Sequence, residues 1–194
     1  MTGKSGNTGR KRRPRGLLSR ARSFCRRTDG VAAIEFAIVW PVFILMVFVI
    51  LEYGLFEFRR ASLQYVLFEV ARDIQTGEIQ NSADPATAFH DAACDYARAF
   101  LDCDAITFDA RAFANLGDAS FADFQFDPDG RPTSGTTEFE LGGPEAIMVM
   151  QATIPYNFAT PMMQQIFQPD GVPAIIVGAS MTKNEPFSCQ ASCS

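Results

Sequence analysis

Histidine is nearly absent from this chain of 194 residues: His90 is the only one. It stands beside Asp91, with no HExxH pattern and no Cys/His cluster of zinc spacing, so the usual signatures of a metal centre are missing. No GxSxG occurs, and no glycine-rich loop follows a strand to cradle a phosphate. The stretch "DPDGRP" begins like an acidic calcium loop, but Arg131 and Pro132 take the place of further ligands, and a turn explains it better. Together these absences predict a protein that is not an enzyme, with no catalytic, cofactor-binding or metal-binding residue and no cofactor.

Charge is missing from a second place. Phe36–Leu51 carries none, and Val31–Leu51 contains Glu35 as its only charged residue. Twenty-one helical residues span roughly 31 Å, about the hydrocarbon thickness of a bilayer. This predicts a transmembrane helix, placed over residues 31–54. No other run is long enough to span; "PAIIVGASM" is too short and reads as a strand.

Acids are scarce where bases are dense. Residues 1–30 hold ten Lys and Arg against Asp29 alone, leaving seven bases and twenty-one acids for the rest of the chain. A basic tail can serve nucleic acid or anionic lipid. The apolar run directly after it decides for the membrane and against nucleic acid. Because Lys and Arg stay on the cytoplasmic side, the N-terminus is expected inside and the chain from about residue 55 outside. A cleavable secretory signal would end in a small-x-small site. The run is followed instead by "EYGLFEFRR", which offers none, and Cys25 precedes the run, which excludes a lipoprotein-type cysteine.

Cysteine usage fits export. Cys94, Cys103, Cys189 and Cys193 all fall beyond the span, an even number for an oxidising space. Four cysteines allow three connectivities. Local pairing, Cys94 with Cys103 and Cys189 with Cys193, closes the shortest loops, with free thiols as the alternative.

Periodicity supplies the elements. Leu63, Leu67, Val70 and Ile74 recur at helical spacing, so the first helix is expected from about residue 32 to 76, bent at Pro41 and capped by Gly77. Asp84 before Pro85 marks the start of a second helix with a buried stripe of Phe89, Ala93, Tyr96 and Phe100. The period then changes to two. Ile106, Phe108, Ala110 and Ala112 form one set; Met148, Met150, Ala152, Ile154, Tyr156 and Phe158 a second; Ile175, Val177, Ala179 and Met181 a third. Residues 114–143 read as a long loop with an edge strand near Phe121–Phe126. The expected fold is α+β and pilin-like: a long N-terminal transmembrane helix entering a periplasmic domain where a second helix packs on a small antiparallel sheet. The expected divisions are a basic cytoplasmic leader (1–30), the span (31–54), the periplasmic domain (55–188) and a C-terminal tail (189–194).

Glu35 remains to be explained. A carboxylate in a bilayer costs about 2.5–3.5 kcal/mol on insertion scales, and such residues are functional candidates by default. The bland reading places it shallow enough to stay hydrated at the cytoplasmic interface. The surrounding pattern argues for more. Glu35 is the fifth residue after Gly30, at the head of the apolar helix and directly after the basic segment. This resembles the type III signal of type IV pilins and pseudopilins. "GVAAIEFAIVWPVFILMVFVILEYG", "ARDIQTGE", "CDYARAFLDC", "GGPEAIMVMQATIPYNFATPMM" and "ASMTKNEPF" are together similar to the TadE-like proteins of the tight-adherence pilus system, in order over roughly residues 29–188.

That resemblance implies a minor pseudopilin of a bacterial inner membrane that helps initiate or assemble Flp-type (type IVb) pili. It implies a membrane aspartyl prepilin peptidase that cuts on the cytoplasmic side between Gly30 and Val31. It gives Glu35 an assembly role, pairing with the new α-amino group on Val31 of a neighbouring subunit. Partners would be that peptidase, other pilins and pseudopilins, and the inner-membrane assembly platform, with the protein itself reaching the pilus. Phe36 departs from the Tyr of major Flp pilins, and the chain is far longer than those. Two alternatives stand beside this: an uncleaved inner-membrane scaffold of the same machine, and a membrane-tethered periplasmic binding module.

Overall fold

A computed structural model describes residues 30–133 and 137–188. The basic leader before Gly30, and Cys189 and Cys193 with their expected bridge, lie outside the described residues. The chain divides into two compact units, Met1–Val47 and Phe48–Ser194.

In the first unit, helix α1 (Val31–Gln75) begins immediately after Gly30 and runs through Pro41 without ending. No residue from Val31 to Val47 is buried. Phe36 stacks on Trp40 with ring centroids 5.2 Å apart, and Trp40 leans on Phe43 at 6.2 Å. Exposed apolar side chains on every side of a helix suit lipid rather than water. By length and composition this helix is able to cross a membrane.

The second unit is α+β. It holds the remainder of α1, helix α2 (Pro85–Ala97), strands β1 (Thr107–Phe113) and β2 (Ile147–Tyr156), a short helix α3 (Pro161–Phe167), and strand β3 (Ala174–Lys183). The sheet is antiparallel in the order β1-β2-β3. Leu63, Val66, Leu67, Val70 and Ile74 of α1 are fully buried in the core. Gly77 ends α1 as expected: its N–H reaches the Ile74 carbonyl at 3.0 Å, and its φ of 80° turns the chain so that the Glu78 N–H reaches the Asp73 carbonyl at 3.1 Å. Asp84 caps α2, its carboxylate accepting the N–H groups of Ala86 and Thr87 and, at 2.6 Å, the Thr87 hydroxyl. The Thr87 hydroxyl first, then those N–H groups, hold the Asp84 carboxyl below its ordinary range.

The expected stripe on α2 needs one correction. Phe89 and Ala93 are buried and Tyr96 partly so, but the helix stops at Ala97 and Phe100 lies half exposed beyond it, edge-on to Phe58. Tyr96 donates its hydroxyl to Asp73 at 3.1 Å, tying α2 to α1. Burial first, and then this bond, push the Tyr96 phenol upward.

Strand faces follow register. The even-numbered residues Met148 to Tyr156 of β2 are buried in the core as expected, and Ala110 of β1 lies opposite Met150. In β3 the expected set is the wrong one. Ala152 pairs with Gly178 and Ile154 with Ile176, so the even residues of β3 face the helices. A Cβ on Gly178 would lie 2.9 Å from Leu67 Cδ1 and 3.2 Å from Leu63 Cγ, so α1 meets the sheet where the strand has no side chain. Val177 and Met181 are left on the opposite face, nearly half exposed.

That opposite face is covered over β1 and β2 by the long loop. Val149, Gln151, Thr153 and Asp109 are buried there. Ala122 N–H donates to Gln151 Oε1, and Glu138 N–H donates to Asp109 Oδ1 at 2.7 Å. Asp109 also takes the Arg111 guanidinium at 3.0 Å, which keeps a buried carboxylate paired. The expected edge strand near Phe121–Phe126 is replaced by an isolated bridge between Phe126 and Pro132, and by a parallel contact at Phe139 that covers the outer edge of β1 at Ala110. "DPDGRP" is a turn, with Asp127 Oδ1 accepting the N–H groups of Asp129 and Arg131.

Candidate functional site

The helix entry brings Gly30, Val31 and Glu35 together by sequence alone. Val31 is the first residue of α1, and Glu35 is one turn further along, so both lie on the same side of the helix. Val31 is 54% exposed. Glu35 is exposed and has no hydrogen-bond or ion-pair partner among the described residues. A carboxylate at the head of an apolar helix has its binding capacity unused among the described residues. Two things can satisfy it: water at a membrane surface, or a cation supplied from elsewhere.

A second carboxylate, Glu52, follows directly on the uncharged run, and its situation is the reverse. It is buried, and it accepts the N–H of Ala159, the N–H of Thr160 at 3.1 Å from each oxygen, and the Thr160 hydroxyl. Thr160 is the N-cap of α3, and its side chain makes no cap bond within that helix. Glu52 therefore supplies from α1 an acceptor for a donor that the short helix leaves open. Phe56, one turn on, stacks on Phe158 at 5.6 Å and meets Tyr156 edge-on at 5.3 Å. Arg59 lies over the Tyr156 ring at 5.2 Å. Burial, then the nearby Glu52 charge, push the Tyr156 hydroxyl upward, with Arg59 acting against them. Sequence reasoning gave Glu52 no role. Its position at the very end of the uncharged run was the available signal.

Of the four cysteines beyond the apolar helix, Cys94 and Cys103 are bridged, with Cα atoms 5.4 Å apart, and this closes the turn from α2 towards β1.

Residues 30–72 match the family model described as TadE-like protein. This chain carries a TadE-like segment. The match starts at Gly30 and takes in Glu35, Pro41, Glu52 and Arg72, so it covers both carboxylates. It spans less than a quarter of the chain, whereas the likeness read from the sequence runs to about residue 188. No curated protein and no solved structure matches the chain.

Proposed function

We propose that this chain is a minor pseudopilin of a tight-adherence (Flp-type) pilus system, processed by a prepilin peptidase between Gly30 and Val31. The observation that carries the reading is Glu35: a carboxylate without a partner among the described residues, one turn into an exposed apolar helix that begins at Val31. Cleavage would place a new ammonium on Val31. In an assembly, Glu35 of one subunit would pair with that ammonium of the next. A charge pair in lipid is tolerable, and a lone carboxylate there is costly, so subunits are held in register.

Gly30 supports the reading from a different side. A Cβ at this position would meet nothing within 4 Å, and its backbone is not left-handed. Folding does not call for glycine here, and a peptidase that accepts only a small residue before the cut would.

In this reading residues 31–54 cross the bacterial inner membrane, the leader faces the cytoplasm, and residues 55–188 form the periplasmic part. The protein acts by contact with other pilins, pseudopilins and the assembly platform, and it catalyses nothing.

The test is the N-terminal residue of the protein taken from its own membranes, together with a Glu35→Gln variant. Valine is the expected first residue. The variant should accumulate in the membrane normally while pilus assembly falls. A native chain beginning at Met1, or normal pili from Glu35→Gln, replaces the pseudopilin by a static scaffold of the same machine.

A further inference from the structure

Among the described residues, His90, Cys94 and Cys103 form a group of three metal-ligating side chains whose ligand atoms all lie within 4.8 Å of one another. His90 and Cys94 stand four apart on α2 and so share a face. Cys94 Sγ is 3.6 Å from His90 Nδ1 and 3.7 Å from Nε2. Cys103 starts a short 3-10 turn (Cys103–Ala105) that Asp102 caps through the Asp104 N–H at 3.3 Å. The linear spacing is not a familiar zinc pattern. The chain reversal after Ala97 is what delivers the third ligand.

Tetrahedral zinc, with bonds of about 2.3 Å to sulfur and about 2.0–2.1 Å to nitrogen, sets sulfur and nitrogen roughly 3.5 Å apart and two sulfurs about 3.8 Å apart. The imidazole-to-Cys94 distance is already of that size, but Cys94 Sγ stands nearly equidistant from both nitrogens, so the exposed His90 ring has to turn to aim one lone pair at a shared ion. The two sulfurs are too close, and opening their bridge would free them to separate. The charge around the group also suits a cation. Cys94 lies in the last turn of α2, at the negative end of its dipole. Asp91, Asp95, Asp102 and Asp104 stand in the same stretch against Arg98 alone, and Arg98 is paired with Asp95 at 3.0 Å.

We propose that His90, Cys94 and Cys103 form a redox-gated site for a thiophilic divalent cation such as Zn²⁺. In the oxidised chain both sulfurs are consumed by the bridge and the site does not exist. A dithiol reductant gives two electrons to the Cys94–Cys103 bond: its thiolate attacks one sulfur and releases the other, and its second thiol resolves the mixed disulfide. The products are two protein thiols and the oxidised reductant. The cation then binds both sulfurs as thiolates and the neutral imidazole, with water in the fourth position, and two thiol protons are released. A disulfide oxidant reverses the sequence, taking two electrons as the bridge reforms and the cation leaves.

The test uses the full chain in detergent with Cys25→Ser, Cys189→Ser and Cys193→Ser, so that Cys94 and Cys103 are the only thiols. The protein is reduced by a phosphine, freed of it without air, and titrated with Co²⁺. Thiolate-to-cobalt charge-transfer absorption and tetrahedral ligand-field bands should appear at one Co²⁺ per chain and vanish on adding Zn²⁺. The oxidised protein should show neither. His90→Ala should weaken binding at least about tenfold, since even the loss of a group outside the ligand set commonly costs that much. His90 is exposed, so the variant should fold, as far-UV circular dichroism checks. Absence of these bands in the reduced protein, or an unchanged titration in His90→Ala, overturns the proposal.

Discussion

Glu52 accepts the Thr160 N–H at 3.1 Å from each of its carboxylate oxygens, joining the end of the uncharged run to a helix start 108 residues later. With Ala159 and the Thr160 hydroxyl as further donors, this one side chain fixes where the segment after β2 meets α1. Glu52→Ala leaves two N–H groups and a hydroxyl without their acceptor. Bonds to a charged group contribute about 1.5–3 kcal/mol each at most, and shared loss here should cost about 2–3 kcal/mol. Thermal unfolding of the full chain in detergent should show a lower midpoint for Glu52→Ala and a smaller drop for Glu52→Gln, which keeps one acceptor. Equal midpoints for all three would remove Glu52 from the list of anchors.

Gly77→Ala should destabilise by about 1–2 kcal/mol, the cost of a left-handed backbone for a residue with a Cβ. It also brings that Cβ to 2.5 Å from the Phe187 ring. The ring can move, so Phe187→Ala in the same chain should recover part of the loss, leaving the backbone cost. A double-mutant cycle in chemical denaturation reads the coupling. Strict additivity would mean that Phe187 does not press on this turn.

Asp84 makes stability depend on pH in a defined direction. Its folded-state carboxyl is held below the ordinary value of 3.8 by the Thr87 hydroxyl and the capped N–H groups. A depressed value means that the capping contribution is fully present above the unfolded pKa and is lost as pH falls through the lower, folded one. Unfolding midpoints measured from pH 6 downward should therefore fall more steeply in the native chain than in Asp84→Ala. Parallel curves would show that the cap is not felt as charge.

Orientation is tested directly. A periplasm-active reporter fused after Lys183 should be active, and one fused at Arg20 should be silent. This outcome is expected because Lys and Arg resist translocation and ten of them precede Val31. The opposite pattern would reverse the expected assignment of sides and overturn the proposed cytoplasmic cleavage after Gly30.

Local chemistry was enough for α1 and for the start of α2. Val31–Gln75 follows from the apolar run and the stripe that continues it, Gly77 from the need for a left-handed cap, and Asp84–Pro85 from the shape of a helix start. These signals act within a few residues, so they survive being read in one dimension. That Val31 and Glu35 stand one turn apart at the head of α1 is local in the same way. The inward face of β2 is local too, since Met148, Met150, Ala152 and Ile154 form its more apolar set, and all four are buried.

The face of β3 was decided only by packing. Alternation divides Ala174–Lys183 into two sets, and the more apolar one, Ile175, Val177, Ala179 and Met181, looked like the core. The register with β2 and the close approach of Leu63 and Leu67 instead required the set containing Gly178, because a helix can come nearest where a strand has no side chain. Glu52 was hidden for a related reason. Its donors are more than a hundred residues away, and nothing local distinguishes a carboxylate that will be buried and satisfied from one that will stay in water. The sequence by itself determined the apolar helix, its caps and the carboxylate at its head. Tertiary structure alone decided the β3 face and the Glu52 anchor, because each depends on distant segments competing for the same space.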